Sequence, residues 1–597
     1  MSLEKLLGPN PGKKPIANRI DRRFFSLIIF LMLKSILRSA FLILTPALLL
    51  NAAFSQFIVS RDNGGIELPE GFQALVVADN VGKTRQIAIR DNGDIYAALM
   101  NPIDLGYIVA MRDTDADGIM DVIKYFGELD SQCKSLRLHE DYLYVGSTTQ
   151  IVRFPLDKRK LLPTGPYETV VSGFPTPLNH RSKNITFDDA GYLYVSAGSP
   201  GDSCQEVDRT KGSPGKDPCD ELERYAGVWM FPANTLGQKQ MEDGFHYATG
   251  IRNNVAFQWD PVKKALYGVQ NGRDNLMQNW GELYDERESA ELPSEEFQLI
   301  KPGSNFGWPY TYYDHEQGSR IINPEYGGDK IKRPEPGLYD DPILTFPGHW
   351  APVGLQFYNA TQFPEKYRGG SFVAFHGSWN RAPLPQQGYN VVFVPFKGQL
   401  PSGNFESFAE GFKGAETLLT PNSASYRPTG LAVGPDGSLY LAEDQVGRIW
   451  KIMYTGGRGV FSNALKQSEP STSASNTTSA ASSSQWDIDP QGQALYNQYC
   501  LACHQIDGSG VPNMQPSLID SKRLSSHDND FLIRLALQGS QWIENRQYNN
   551  LMASFAFLSD KEIAQALNYT KARFANSEPT ITAQDVDRLR NRYAGTN

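Results

Sequence analysis

Cys500 and Cys503 stand three residues apart and are followed at once by His504. C-x-x-C-H is the pattern of a c-type haem attachment site: the thiols add to the haem vinyl groups and the adjacent imidazole ligates the iron. A C-x-x-C pair also serves zinc or dithiol redox chemistry. Zinc would need a second pair of ligands, yet no cysteine follows Cys503, and His527 is the one histidine after His504. Two thioethers, Met514 and Met552, are candidates for the second axial position, and His/Met ligation suits electron transfer. A haem c carries one electron and performs no substrate chemistry here, so the upstream chain is where those electrons must originate.

The residues around this motif resemble the class I cytochrome c domains. Gly492 to Tyr496 resembles their first helix, and Met552 to Ile563 resembles the axial-methionine loop leading into the last helix. Ser559 with Glu562 three residues on forms a capping box that starts that helix, which leaves Met552 in the preceding loop and favours it over Met514. The resemblance implies an all-α domain over residues 486–597 with covalent haem c on Cys500 and Cys503 and iron ligands His504 and Met552. The last 20 or so residues read as an additional terminal helix.

The chain has 597 residues, 40% of them hydrophobic and 11% aromatic. That composition supports a full core, and the length suits about three or four units of typical size. The net charge is −9 without basic blocks beyond the N-terminus, which argues against nucleic acid as a partner. Of five cysteines, two belong to the haem motif, and Cys204 and Cys219 flank a Gly/Pro/Asp-rich loop in which they can pair. Such a bridge closes a loop of about 15 residues, contributes about 3 kcal/mol and requires an oxidising compartment. Cys133 is left over and reads as buried and inert.

Residues 1–55 contain two apolar runs, Phe24–Leu33 and Ala40–Leu50, interrupted by Lys34 and Arg38. Both are shorter than the roughly 18 uncharged residues of a membrane-spanning helix. Read from Met32, Lys34 and Arg38 form a basic n-region, Ala40–Leu50 an apolar h-region and Ala53-Phe54-Ser55 a small-x-small cleavage site. The alternative is an uncleaved, tilted anchor that would hold the protein at a membrane. Either reading sends the remainder to the periplasm.

From residue 62 to 455 one unit recurs: an alternating apolar strand, a polar turn, and a second strand. The copies are Ile87–Tyr96, Leu136–Tyr144, Ile185–Tyr194, Val255–Tyr267, a looser Leu355–Ala374, and Leu431–Tyr440. Period-2 strands joined by Asp-Gly or Asn-Gly turns without helical periodicity argue all-β. A repeat of about 45 residues is that of propeller blades. The expected fold is therefore an all-β six-bladed β-propeller followed by a small all-α cytochrome c domain. The wide spacing of the fourth to sixth units implies long loops, where sites concentrate. Residues 466–485 are Ser/Thr/Ala-rich, a flexible linker whose r.m.s. span of roughly 25 Å leaves the haem domain without a fixed orientation.

The propeller region lacks G-x-G-x-x-G and Walker-type loops, so nicotinamide, flavin and nucleotide readings find no support. Asn179-His180, Gly250-Ile-Arg252-Asn253, Asn271-Gly272-Arg273-Asp274, Gly303 to Pro309, His376-Gly-Ser-Trp-Asn-Arg381 and Arg427-Pro-Thr-Gly occur in that order. Together they resemble the soluble quinoprotein glucose/sorbosone dehydrogenases, which carry pyrroloquinoline quinone (PQQ) on a six-bladed propeller. The resemblance implies that His180 is the general base, an imidazole titrating near neutrality. It implies that Arg252 and Asn253 contact the PQQ carboxylates and quinone oxygens. Backbone carbonyls at Gly272 and Arg273 would bind a calcium ion that polarises the quinone. Arg427 is one of two cofactor arginines, the second position being Thr429 here; His376 falls near a family lysine, with Arg381 in a position to compensate. Asn179 stands where the glucose enzymes have Asp, and these departures point toward the sorbosone-like branch.

A separate acidic loop, Asp113, Asp115, Asp117, Gly118 and Asp121, offers oxygens at positions 1, 3, 5 and 9 of a calcium loop, but Lys124 at position 12 excludes an EF-hand. It reads equally as an acidic turn or as a structural calcium site. The whole is expected to oxidise a sugar or related aldehyde and to pass electrons through its own haem to a soluble cytochrome or respiratory oxidase. The rival readings are a carbohydrate-binding propeller without PQQ that localises an electron carrier, and a calcium-dependent lactonase that leaves the haem unexplained.

Overall fold

A computed structural model describes residues 58–59, 62–129, 131–177, 179–181, 183–456, 460–461, 486, 489–511, 515–519, 521–526, 528–543 and 552–593. The expected signal segment, the 466–485 linker and Met514 lie outside the described residues.

The alternating strands assemble into six sheets of four or five strands, arranged as propeller blades. The innermost strands are Thr84–Ile89, Ser135–His139, Lys183–Phe187, Asn254–Asp260, Pro352–Phe357 and Pro428–Val433. Each packs against the next, and the last against the first, so the ring closes around a central axis. All six repeats found in the sequence are first hairpins of a blade, and the propeller expectation holds. The sixth blade is completed by the first long strand of the chain: Phe72–Ala78 pairs antiparallel with Ile449–Tyr454. Phe72 enters an aromatic cluster with Phe363, Tyr367 and Phe408, with centroids 4.8 to 5.3 Å apart and rings edge to face. Aromatic wedges of this kind fill the space between splayed blades and add about 0.5–1.5 kcal/mol per pair beyond area burial.

Helices Pro490–Tyr499, Leu501–His504, Asn529–Gln538, Asp560–Phe574 and Ala583–Tyr593 form the C-terminal region. Gly492 sits where the first of these crosses Asp560–Phe574: a Cβ there would lie 2.5 Å from the Gln565 carbonyl. The capping box is present, Glu562 N–H donating to Ser559 Oγ and Ser559 N–H to Glu562 Oε2. A terminal helix also forms, burying Val586 and Leu589.

The helical region does not hang free. Its haem-attachment segment packs on the propeller, with Ala382 among Tyr496, Leu501, Tyr569 and Phe574, and Trp379 against Ala502, Cys503 and Val511. The linker expected to leave this region without a fixed orientation lies outside the described residues. Cys204 and Cys219 are bonded, and Cys133 is fully buried, its thiol pushed up to about 12 by burial. No helix among the described residues is long and apolar enough to cross a membrane.

Candidate active site

Residues just before or at the start of the innermost strands meet at one mouth of the central channel. Lys134 precedes Ser135, Arg181 and Arg252 lie two before their strands, Arg427 one before its own, and Arg85 is second in its strand. A propeller turns such equivalent sequence positions into a ring of side chains around one axis.

Half of this ring is strongly cationic. Lys134 is pushed down to about 8, first by burial and then by the like charges of Arg85 and Arg181. Arg85 ion-pairs with Asp444 at 3.1 Å, and its Nε is buried without a hydrogen-bond partner. Asp444 also receives His376 Nε2 at 2.9 Å, while Arg427 Nη2 meets His376 Nδ1 at 2.9 Å and donates to the Gly377 carbonyl at 2.8 Å. Burial, then Arg427, pushes His376 down to about 3. Thr429, which takes the place of a family arginine, turns its hydroxyl to the Thr84 carbonyl. The cations missing there come instead from Arg85, Lys134 and Arg181 on other blades. Of the nearby carboxylates, Glu443 already accepts backbone N–H groups from residues 445 to 448, leaving Asp444 against several cations. A tricarboxylic quinone supplies the negative charge this arrangement lacks, so the residues fit PQQ.

His180 stands across the mouth. Its φ of 44° lies in the left-handed region, unusual outside glycine. Nδ1 donates to the Ser199 carbonyl at 2.9 Å, which fixes the tautomer and leaves Nε2 as the acceptor. Asn179 does not orient the ring; its Nδ2 donates to the Pro200 carbonyl. Gly198 makes the arrangement possible, because a Cβ there would lie 2.6 Å from His180 Cβ and 3.2 Å from Asn253 Oδ1. The structure thus brings His180 and Asn253 together. Burial, then Arg252, pushes the imidazole down to about 3, not near neutrality as its role suggested.

Arg252 differs from expectation. Its Nη2 donates to Asp202 at 2.7 Å and Asp274 at 2.9 Å, and its Nη1 to the Gly272 carbonyl at 2.6 Å. Both terminal nitrogens of the guanidinium are engaged by the protein, while its Nε is buried without a hydrogen-bond partner. The same contacts bear on calcium. The Gly272 oxygen faces a cation, and the Arg273 side chain turns away to Glu325 at 2.5 Å. A calcium ion at Gly272 and Arg273 would stand against the Arg252 guanidinium. With that guanidinium in place the Gly272 carbonyl does not fit the ion. Burial alone would raise Asp274, but Arg252, Arg209 and His349 hold it well below the usual carboxylate range. Arg381 does not reach the cofactor mouth either. It donates to the Ala290 carbonyl at 2.7 Å and pairs with Glu291 at 2.6 Å, locking the loop from which it projects.

In the acidic loop Asp113, Asp115 and Asp117 converge, but Asp121 turns back to accept from the Thr114 backbone and hydroxyl. Asp113 in turn accepts from the backbone N–H groups of Ala116 and Gly118.

At the haem motif Cys500 and Cys503 are free thiols, pushed up to about 12 and 11 by burial. His504 Nδ1 donates to the Pro516 carbonyl at 3.0 Å, which presents Nε2 to a metal, the outer bond a ligating histidine normally makes. Met552 is held in its loop by Ser540, whose hydroxyl accepts from the Met552 N–H at 2.8 Å. Ser554 Oγ and Phe555 N–H tie the same loop to Leu537 and Ala536. These residues fit a haem c. Sequence reasoning missed Arg85, Lys134, Gly198, Ser199, Asp202 and Asp444. The signal that locates the first two was their recurrence at equivalent positions of the repeat.

Comparison with known proteins agrees with this geometry. A family model described as TrAA12-like matches residues 66–455, and the chain belongs to that family. A cytochrome c model matches residues 490–572. A PQQ-dependent pyranose dehydrogenase from Coprinopsis cinerea is 30% identical over 236 residues, covering 34% of this chain and 30% of that one. Cytochrome c-552 of Thermus thermophilus is 32% identical over 110 residues, 17% of this chain and 83% of that one. A Trichoderma reesei carbohydrate-active enzyme of family AA12 shares the propeller fold, with a TM-score of 0.52 and 16% identity over 65% of this chain and 97% of that one. The chain spans less than half the length of the first curated relatives it matches.

Proposed function

We propose that the protein oxidises a sugar or related aldehyde with PQQ at the propeller mouth and releases the electrons through its own haem c. The observation that carries this reading is the cluster of cations Arg85, Lys134 and Arg427 around the single carboxylate Asp444, together with a tautomer-fixed His180. When bound, PQQ accepts a hydride from the substrate carbon. Arg85, Lys134 and Arg427 would hold its carboxylates. His180 would take the substrate hydroxyl proton at Nε2; burial and Arg252 hold the ring neutral, so that nitrogen is unprotonated and free to accept. Ser199 and Gly198 keep that nitrogen aimed into the mouth. Haem c on Cys500 and Cys503, ligated by His504 and Met552, would accept one electron at a time.

The Cys204–Cys219 bond supports an oxidising compartment, in line with export to the periplasm, and a soluble cytochrome or respiratory oxidase would take the electrons onward. The reading is tested on the haem absorption spectrum of the haem-loaded protein, with PQQ, before and after a panel of aldoses and sorbosone is added. PQQ-dependent haem reduction that His180→Ala abolishes is expected. Failure of PQQ to bind at saturating concentration would remove the oxidoreductase reading.

A further inference from the structure

The segment His376–Ala382 touches both ends of the proposed electron path. His376 is bonded to Asp444 and Arg427 on the cationic half of the mouth. Asn380 Nδ2 donates to Asp274 Oδ1 at 3.0 Å, and Asp274 in turn holds Arg252. Between these, Trp379 is 5% exposed and forms one buried cluster with Ala502 and Val511, against which Cys503, a haem-attachment cysteine, packs. Ala382 packs on Tyr496, Leu501, Tyr569 and Phe574. Arg381, bonded to Ala290 and Glu291, fixes the segment from below. Two contacts from other loops complete the seat. Asn422 Nδ2 donates to Ser509 Oγ at 3.1 Å and the Gly510 carbonyl at 3.2 Å, and the Lys211 ammonium lies 5.5 Å over the Phe557 ring. Arg209 and Asp274 are the charges that act on the Cys503 thiol.

We propose that this strap is a built docking bed for the haem domain of the same chain, and that electrons leave the propeller through the Trp379 cluster on which Cys503 packs. The inference rests on the function proposed above and names the route that function takes. A buried aromatic anchor with a polar rim is the anatomy of a specific interface. Tethering raises the effective concentration to about the millimolar range, so a small interface suffices. Each passage would reduce one ferric iron to ferrous. Oxidation of one substrate releases two electrons, so the first would have to pass from the haem to an external one-electron acceptor, such as ferricyanide or a soluble c-type cytochrome, before the second could follow.

The first test is a crosslink in the full, haem-loaded chain without PQQ or sugar. Asn422→Cys with Ser509→Cys introduces two half-buried thiols as the reactive pair, since in the haem-loaded chain Cys500 and Cys503 carry the haem, Cys204 and Cys219 are bonded and Cys133 is buried. A short bis-maleimide is expected to join them, so that cleavage at a protease site placed within residues 466–485 leaves the two halves covalently linked. Halves that separate overturn the docking bed. The second test is Ala382→Arg, which drives a charged side chain into the Tyr496–Phe574 cluster. Substrate-dependent haem reduction is expected to slow at least tenfold while reduction of a small dye acceptor by the same sugar persists. Unchanged haem reduction overturns the route. A wild-type chain that reduces neither dye nor haem with any sugar would defeat the function proposed above, and the crosslink would still decide the docking.

Discussion

His180 owes its properties to its surroundings. An imidazole ordinarily titrates near 6.5, and here burial and the nearby Arg252 hold it at about 3. Removing the ring is expected to lower turnover by about 10²–10⁴-fold, the range for a lost general base. The acid limb of the pH–rate profile should lie well below the value of a free imidazole, which pH-dependent steady-state kinetics would show. Gly198→Ala is expected to mimic much of that loss without touching the imidazole, because the new methyl would meet His180 Cβ at 2.6 Å; overpacking of this kind also costs about 1–3 kcal/mol. Arg85→Met and Lys134→Met should each weaken PQQ by roughly 10- to 100-fold, the equivalent of one charge-assisted hydrogen bond, measured by calorimetric titration. Wild-type affinity in both variants would refute the cationic reading of the mouth.

At the scale of elements, the six hairpins were legible because strand alternation is a local signal that recurs along the chain, with Asn92-Gly93 and Asp436-Gly437 marking the turns of the first and last copies. The haem motif was legible for the same reason, since Cys500, Cys503 and His504 are neighbours in sequence, and the Ser559–Glu562 box placed Met552. What escaped notice depends on contacts between blades. Ser199 orients His180 from 19 residues away, and Asp444 meets His376 across 68. Arg252 reads as a cofactor fork until Asp202, 50 residues earlier, is seen to occupy it. Arg381 likewise reads as a spare cation until Glu291 and the Ala290 carbonyl are found beneath it. Its removal should therefore loosen the strap: Arg381→Met is expected to impair haem reduction while leaving PQQ affinity near wild type, with spectroscopic and calorimetric assays separating the two.

For the whole molecule, two buried histidines set an acid liability. His180 and His376 bind protons at about 3 in the folded chain but near 6.5 when unfolded. As pH falls through that window the unfolded state takes up protons first, so stability is complete above about 6.5 and declines toward 3. Thermal melts of the cofactor-free chain should show Tm falling over this range, and the fall should shrink in His376→Gln. Reduction of the Cys204–Cys219 bridge, whose cysteines are 15 residues apart, should cost about 3 kcal/mol and lower Tm further at every pH.

The ring is sealed by pairing Phe72–Ala78 with Ile449–Tyr454, and this imposes an order on synthesis. The leading strand emerges from the ribosome hundreds of residues before its partner exists, and until then an apolar strand and two blade edges wait unpaired. Were the chain exported unfolded, as proposed above, that hazard would be removed, because head and tail of the propeller would arrive in the same compartment before either must commit. The helices that carry the haem arrive after the seal, so the docking surface is complete by the time its occupant appears. A circular permutant that joins these two strands through a hairpin should refold faster than the native order, since the slowest contact would become the most local one.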